Sequence, residues 1–155
     1  MKWIGHICFA LSGALMSFNA LAASPANPLV SDQWRARPLV LVTPSAGNQG
    51  YQRMRRLISN QQTAFDERDM VLYTIENGIG QRNGAGMTTA ETEAILEDLD
   101  VKPDGALTVI LIGKDGGKKV QQTGFVNPDE LFTTIDRMPM RRQERTSDDR
   151  ASKPE

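Results

Sequence analysis

"LTVILIGKDGGKK", residues 107–119, decides the fold. Leu107–Ile112 is an unbroken apolar and β-branched run, the pattern of a strand buried on both faces. The glycine-rich stretch behind it is either a loop that cradles a phosphate or a turn. A phosphate loop needs glycine, four residues, and then Gly-Lys-Ser/Thr opening a helix. Counted from Gly113, the second glycine should fall where Lys118 stands, and no Ser or Thr follows. Asp115-Gly116 is instead a hairpin signal, because both residues tolerate positive φ. The hairpin leads into Lys118–Thr123, a more polar strand suited to a sheet edge, where lysines deter further pairing.

Upstream, Arg37–Pro44 ("RPLVLVTP") and Asp69–Ile75 ("DMVLYTI") read as two more buried strands. Between them, Met54, Leu57, Ile58 and Phe65 recur at helical spacing, so residues 51–67 should form a helix. Thr88 and Glu91 form a capping box for a helix reaching Leu99. Asn127 caps a last helix, with Pro128 at its first position, and Pro139 stops it. The glycine-rich stretch "NGIGQRNGAG", residues 77–86, reads as a mobile loop. Residues 141–155 have almost no apolar side chain and read as a disordered polar tail. The order is therefore strand, helix, strand, helix, strand, strand, helix. The first two strands are parallel because a helix joins them, and the last two are antiparallel.

A chain of 155 residues suits one domain with a modest core. Its net charge of −1 excludes a strongly basic nucleic-acid binder. The start has the layout of a secretory signal peptide: Met1-Lys2, the apolar run Trp3–Phe18, and a small-x-small site at Ala20-Leu21-Ala22. The expected organisation is a signal peptide over 1–22, a linker over 23–33, a domain over 34–140 and the tail. The protein should then be periplasmic or secreted, cut after Ala22, with no stable membrane insertion afterwards. The chain has one cysteine and one histidine, Cys8 and His6, and both leave with the signal. What remains supports no disulfide, thiol nucleophile, Cys/His zinc site or Ser-His-Asp triad.

The stretch 107–138 resembles the last hairpin and helix of thioredoxin-like proteins. "LIGKDGGKK" together with "IDRMPMRRQE", residues 135–144, is more specific. It resembles domain-of-unknown-function family 4174, the prokaryotic branch of the DUDES group, over about Pro28 to Glu144. That resemblance implies a thioredoxin-like βαβαββα three-layer sandwich with a mixed four-stranded sheet, and no established activity. A redox thioredoxin carries Cys-x-x-Cys after its first strand, where this chain has "TPSAGNQGY", residues 43–51. Thr108 stands where the cis-proline belongs, and Pro103 lies too far upstream to replace it. Thiol oxidoreductase and peroxidase activities are therefore not expected, nor is any cofactor or metal.

The implied fold gathers small, nearly uncharged loops at one pole of the sheet and charge at the other. The charged pole supplies the candidate binding residues Arg68, Lys114, Asp115, Asp136, Arg141 and Arg142. Asp136, in the last turn of a helix, opposes the helix dipole and needs a cationic partner. Lys114, Arg68 and Arg141 can supply it. Such a cluster is either a clamp on the last helix or a site for a partner or anionic ligand. The leading function is an exported, non-redox protein-binding module, its partner another periplasmic or envelope protein. The alternatives are an enzyme or a small-ligand sensor using Lys, Asp and Arg groups.

Overall fold

The computed structural model describes residues 27–152. The expected signal peptide lies outside them. The elements are α1 (Pro28–Asp32), β1 (Arg37–Thr43), α2 (Gln49–Asn60), α3 (Gln62–Asp66), β2 (Met70–Glu76), β3 (Ile79–Arg82), β4 (Ala85–Gly86), α4 (Thr89–Leu99), β5 (Thr108–Ile112), β6 (Lys118–Thr123), α5 (Pro128–Asp136) and α6 (Pro139–Ala151).

One mixed sheet runs in the order β4-β3-β2-β1-β5-β6. β1 pairs parallel with β2, Arg37 opposite Met70, and antiparallel with β5, Leu39 opposite Leu111. Every residue of β1 is buried, as its unbroken apolar run requires. Alternate side chains feed two cores. Leu39, Leu41, Val109 and Leu111 pack with Met54, Ile58, Phe65, Leu131 and Ile135 from α2, α3 and α5. Val40, Val42, Tyr73, Ile75 and Ile110 pack on the other face with Leu29, Ile95 and Leu99 from α1 and α4. The result is a three-layer helix–sheet–helix arrangement.

The sheet has six strands rather than four. The two extra strands come from residues 77–86, the stretch expected to be a loop. Asn77 and Gly78 have φ of 49° and 78°, and Asn83 and Gly84 have φ of 49° and 82°. Two consecutive positive values make the tight hairpin turn whose twist matches paired strands. Each Asn-Gly reverses the chain, so β3 adds to β2 and β4 to β3. Gly80 is needed for a different reason: a Cβ there would run into the side chains of Thr92 and Met87, so β3 can lie close over α4 only without one.

Three other segments differ from expectation. The helix expected over 51–67 breaks at Gln61 into α2 and α3. The linker contains α1, which Asn27 caps and whose Leu29 and Asp32 are buried. Pro139 ends α5 but also starts α6, taking the first-turn position where its missing N–H costs nothing. A helix thus stands over 139–151, where a disordered tail is expected from composition. The two cap predictions hold: Thr88 and Glu91 form the reciprocal box, and Asn127 accepts from Asp129 N.

Candidate functional site

The stretch 113–117 is a turn. Gly116 N donates to the Gly113 carbonyl and Gly113 N to the Gly117 carbonyl, both at 2.9 Å. Gly116 has a φ of 81°. The turn projects at the charged pole, beside the start of β1, the α3–β2 connection and the α5–α6 junction.

The residue at the centre of this pole is Arg37, the first residue of β1 and only 1% exposed. Its Nη2 donates to both oxygens of Glu144, at 2.9 and 3.1 Å, and its Nη1 donates to the Arg68 carbonyl at 2.9 Å. Asp69 lies 3.8 Å from Nη1. Lys114 Nζ bridges the same two acids, 2.7 Å from Asp69 and 2.8 Å from Glu144. Burial disfavours the Lys114 ammonium, yet the two carboxylates outweigh it and hold its pKa above the ordinary value. Burial likewise works against the Glu144 carboxylate, but Lys114 and Arg37 keep its pKa below the ordinary value.

Asp136 has the partner it needs. Arg68 grips it bidentately, Nη2 at 2.7 Å and Nε at 3.1 Å. The same guanidinium lies 4.9 Å from the Phe132 ring and donates to the Ala64 carbonyl. Arg141 approaches Asp136 at 3.6 Å and Glu144 at 3.6 Å, closing the ring of charges. One network therefore joins β1, the α3–β2 connection, the β5–β6 turn, α5 and α6.

Of the six candidate residues, Arg68, Asp136, Arg141 and Lys114 belong to this network. Lys114 does not pair with Asp136; it serves Asp69 and Glu144 instead. Asp115 stands apart, pairing with Lys119 at 2.6 Å, which lowers its pKa. Its carbonyl accepts from Gln33 Nε2 at 3.0 Å. Arg142 is exposed and forms no ion pair among the described residues. The candidate residues named from the sequence did not include Arg37, Asp69 or Glu144. An arginine opening an otherwise apolar buried strand is a usable signal, since a buried charge demands a partner. Glu144 carries none, being one acid among many in a polar stretch.

Beside Arg37 is a small pocket of about 170 Å³, lined by Lys114, Asp115 and Lys119 and by Met138, Pro139 and Met140 from the α5–α6 junction. Trp34, just before β1, donates its N–H to the Lys114 carbonyl at 2.6 Å. The residue is 64% exposed and its φ is 66°, unusual for a bulky residue.

Two further polar clusters lie elsewhere. On the α1/α4 face, buried Asp32 accepts from Tyr73 Oη at 2.6 Å and from Arg82 Nη2 at 2.6 Å. Burial first, and then Asp32, raise the Tyr73 pKa. At the glycine-rich pole, Tyr51 Oη donates to Glu76 and accepts from Arg55 at 3.0 Å. The loop after β1 has no nucleophile paired with a base; Thr43 Oγ1 donates to the Ser45 carbonyl. Among the described residues, no group of three or more His, Cys, Asp and Glu is placed to hold a metal, and no helix is long and apolar enough to cross a membrane.

A family model described as "Domain of unknown function (DUF4174)" matches residues 28–144. The match spans the network from Arg37 to Glu144, and the chain belongs to that family. No curated protein and no solved structure matches it.

Proposed function

We propose that this member of the domain-of-unknown-function family is an exported, non-redox, thioredoxin-like module that binds another protein of the periplasm or envelope through its charged pole. The thioredoxin-like reading is supported by the order β2-β1-β5-β6, with β1 and β2 parallel, β5 and β6 antiparallel to their neighbours, and helices on both faces. The loop where such a fold would carry its redox cysteines is Pro44-Ser45-Ala46-Gly47, which leads into Asn48, the cap of α2. The signal-like start supports export.

The observation that carries the binding reading is Trp34. A large aromatic side chain in water forgoes the burial its area offers, and a left-handed backbone adds strain. Such outliers persist where the surroundings impose them and cluster at functional positions. Tryptophan is also among the side chains that anchor protein interfaces. Arg142 and the Asp115 turn give the same pole a polar rim, while the ion network beneath provides rigidity.

A photoreactive residue placed at position 34, 79 or 142 in cells tests this reading. Discrete partner adducts are expected from 34 and 142 and not from 79, an equally exposed apolar position in the β2–β3 hairpin. Adducts from 79 alone, or from none of the three, defeat it. N-terminal sequencing of the exported protein should find Ala23 first; an intact Met1 on the accumulated protein defeats the export reading.

A further inference from the structure

We infer that the free edge of β6 pairs with the same strand of a second copy of this chain, antiparallel and centred on Gln121. The inference uses this edge alone and needs neither the export reading nor the thioredoxin-like one. The sheet ends in β4 on one side and β6 on the other. β4 has two residues, too short to template another strand. β6 has six, and all but Val120 are exposed. Its backbone phase follows from its neighbour. Gly124 N donates to the Leu107 carbonyl at 2.7 Å, while Thr108 stands opposite Thr123 and Ile110 opposite Gln121. Residues of an antiparallel ladder alternate between turning both backbone groups towards the neighbour and turning both away. Gln121 and Thr123 therefore turn theirs away from β5. Among the described residues, no other backbone group takes them up. An unpaired row of this kind is a template for a further strand.

Sheet edges are guarded by charge, proline or a bulge. β6 is guarded at one end only. Lys118 and Lys119 stand there, with a register shift opposite Leu111 and Ile112. Val120-Gln121-Gln122-Thr123 carries no charge, proline or bulge. An antiparallel copy with Gln121 opposite its own equivalent satisfies the free groups of both strands. Val120 then stands beside Gln122 of the second copy on one face of the sheet. The lysines stay clear of one another, because Lys118 and Lys119 of each copy come opposite the 123–124 end of the other. Past that end, Asp129 and Glu130 open α5. The strand is thus basic at its start and followed by acid beyond its end. Antiparallel pairing of two copies sets unlike charges together, whereas parallel pairing would set like on like. A second copy of the chain complements that polarity.

Sedimentation of the purified protein should show a dimer that dissociates on dilution. Gln121→Lys sets two lysines against each other on the axis and should leave a monomer. Gln121→Pro removes one outward N–H per copy and keeps the bonds to β5. It should raise the dissociation constant about tenfold or more. Register is read by disulfide formation in a chain whose one cysteine, Cys8, is replaced by serine. Gln121→Cys should cross-link to itself on mild oxidation, since residues so paired have Cα atoms about 5.5 Å apart. Thr123→Cys should not, because its two copies lie about 13 Å apart along the strands. The inference fails if the protein sediments as a monomer at its highest soluble concentration, or if the dimer survives Gln121→Lys. It fails also if Gln121→Cys cross-links no faster than Thr123→Cys. Recovery of Gln121→Cys from cells linked to a different protein, and not to itself, gives the edge to another occupant and overturns the self-pairing.

Discussion

The two ends of the sheet are held by different physics. At the charged pole, five chain segments are tied by side-chain charge around a buried arginine, and α6 docks there although none of its residues is buried. At the glycine-rich pole, the turn into β3 is set by backbone torsion at Asn77-Gly78. There a hydrogen-bonded charge cluster, Tyr51–Glu76–Arg55, is partly open to water. The contrast teaches where substitutions should matter. Charge changes should destabilise the first pole strongly and the second weakly.

Arg37→Ala should be the most damaging substitution. It takes from Glu144 its bidentate partner, leaving Lys114 as the main cation between the two acids, and removes the donor to the Arg68 carbonyl, a loss of about 3 kcal/mol or more. Urea denaturation at neutral pH measures it, and a loss under about 1 kcal/mol would mean the network is no clamp. Asp136→Ala comes next, at about 1–3 kcal/mol, since Arg68 loses a bidentate charged partner that is only partly shielded from water. An unchanged thermal midpoint would sink the view that this pair ties α5 in place. Gly78→Ala at the other pole should cost about 1 kcal/mol, because nothing crowds the new methyl group and only the left-handed backbone opposes it.

The smallest effect is a pH dependence confined to one pole. The Glu144 pKa is depressed in the folded protein, so its contribution is fully present above the ordinary carboxylate range. It is lost as pH falls through that range towards the depressed value. Hydrogen exchange should therefore show α6 loosening on acidification before the β2–β3 hairpin does. Glu144→Gln should remove that pH dependence and leave α6 loose throughout. Simultaneous loosening of hairpin and α6 would erase the distinction between the poles.

The parts of this picture that were legible in the sequence share one property: they depend on neighbouring residues. The strands at 37–43 and 108–112, the 113–117 turn and the caps at Thr88 and Asn127 all follow from short-range pattern. The β3–β4 hairpin reads as a loop in the sequence although Asn77-Gly78 and Asn83-Gly84 are turn signals, because the high glycine content between and after them masks two short strands. The Arg68–Asp136 pair was reachable because an acid at a helix C-terminus requires a cation. Arg37–Glu144 was not, because its members are 107 residues apart and Glu144 sits among many similar acids.

By itself, then, the sequence determined the buried strands, the turn at Asp115-Gly116, the absence of cysteine and histidine after residue 8, and the family. Local torsional preference and hydrophobic period suffice for the elements, and composition for the lone cysteine and histidine. Only the tertiary structure decided that the sheet has six strands, that residues 139–151 are a docked helix, and that Arg37 is the buried centre of the charged pole. The last two depend on which distant charges meet once the sheet has formed, and side-chain pairing across such separations leaves no periodic trace in the chain.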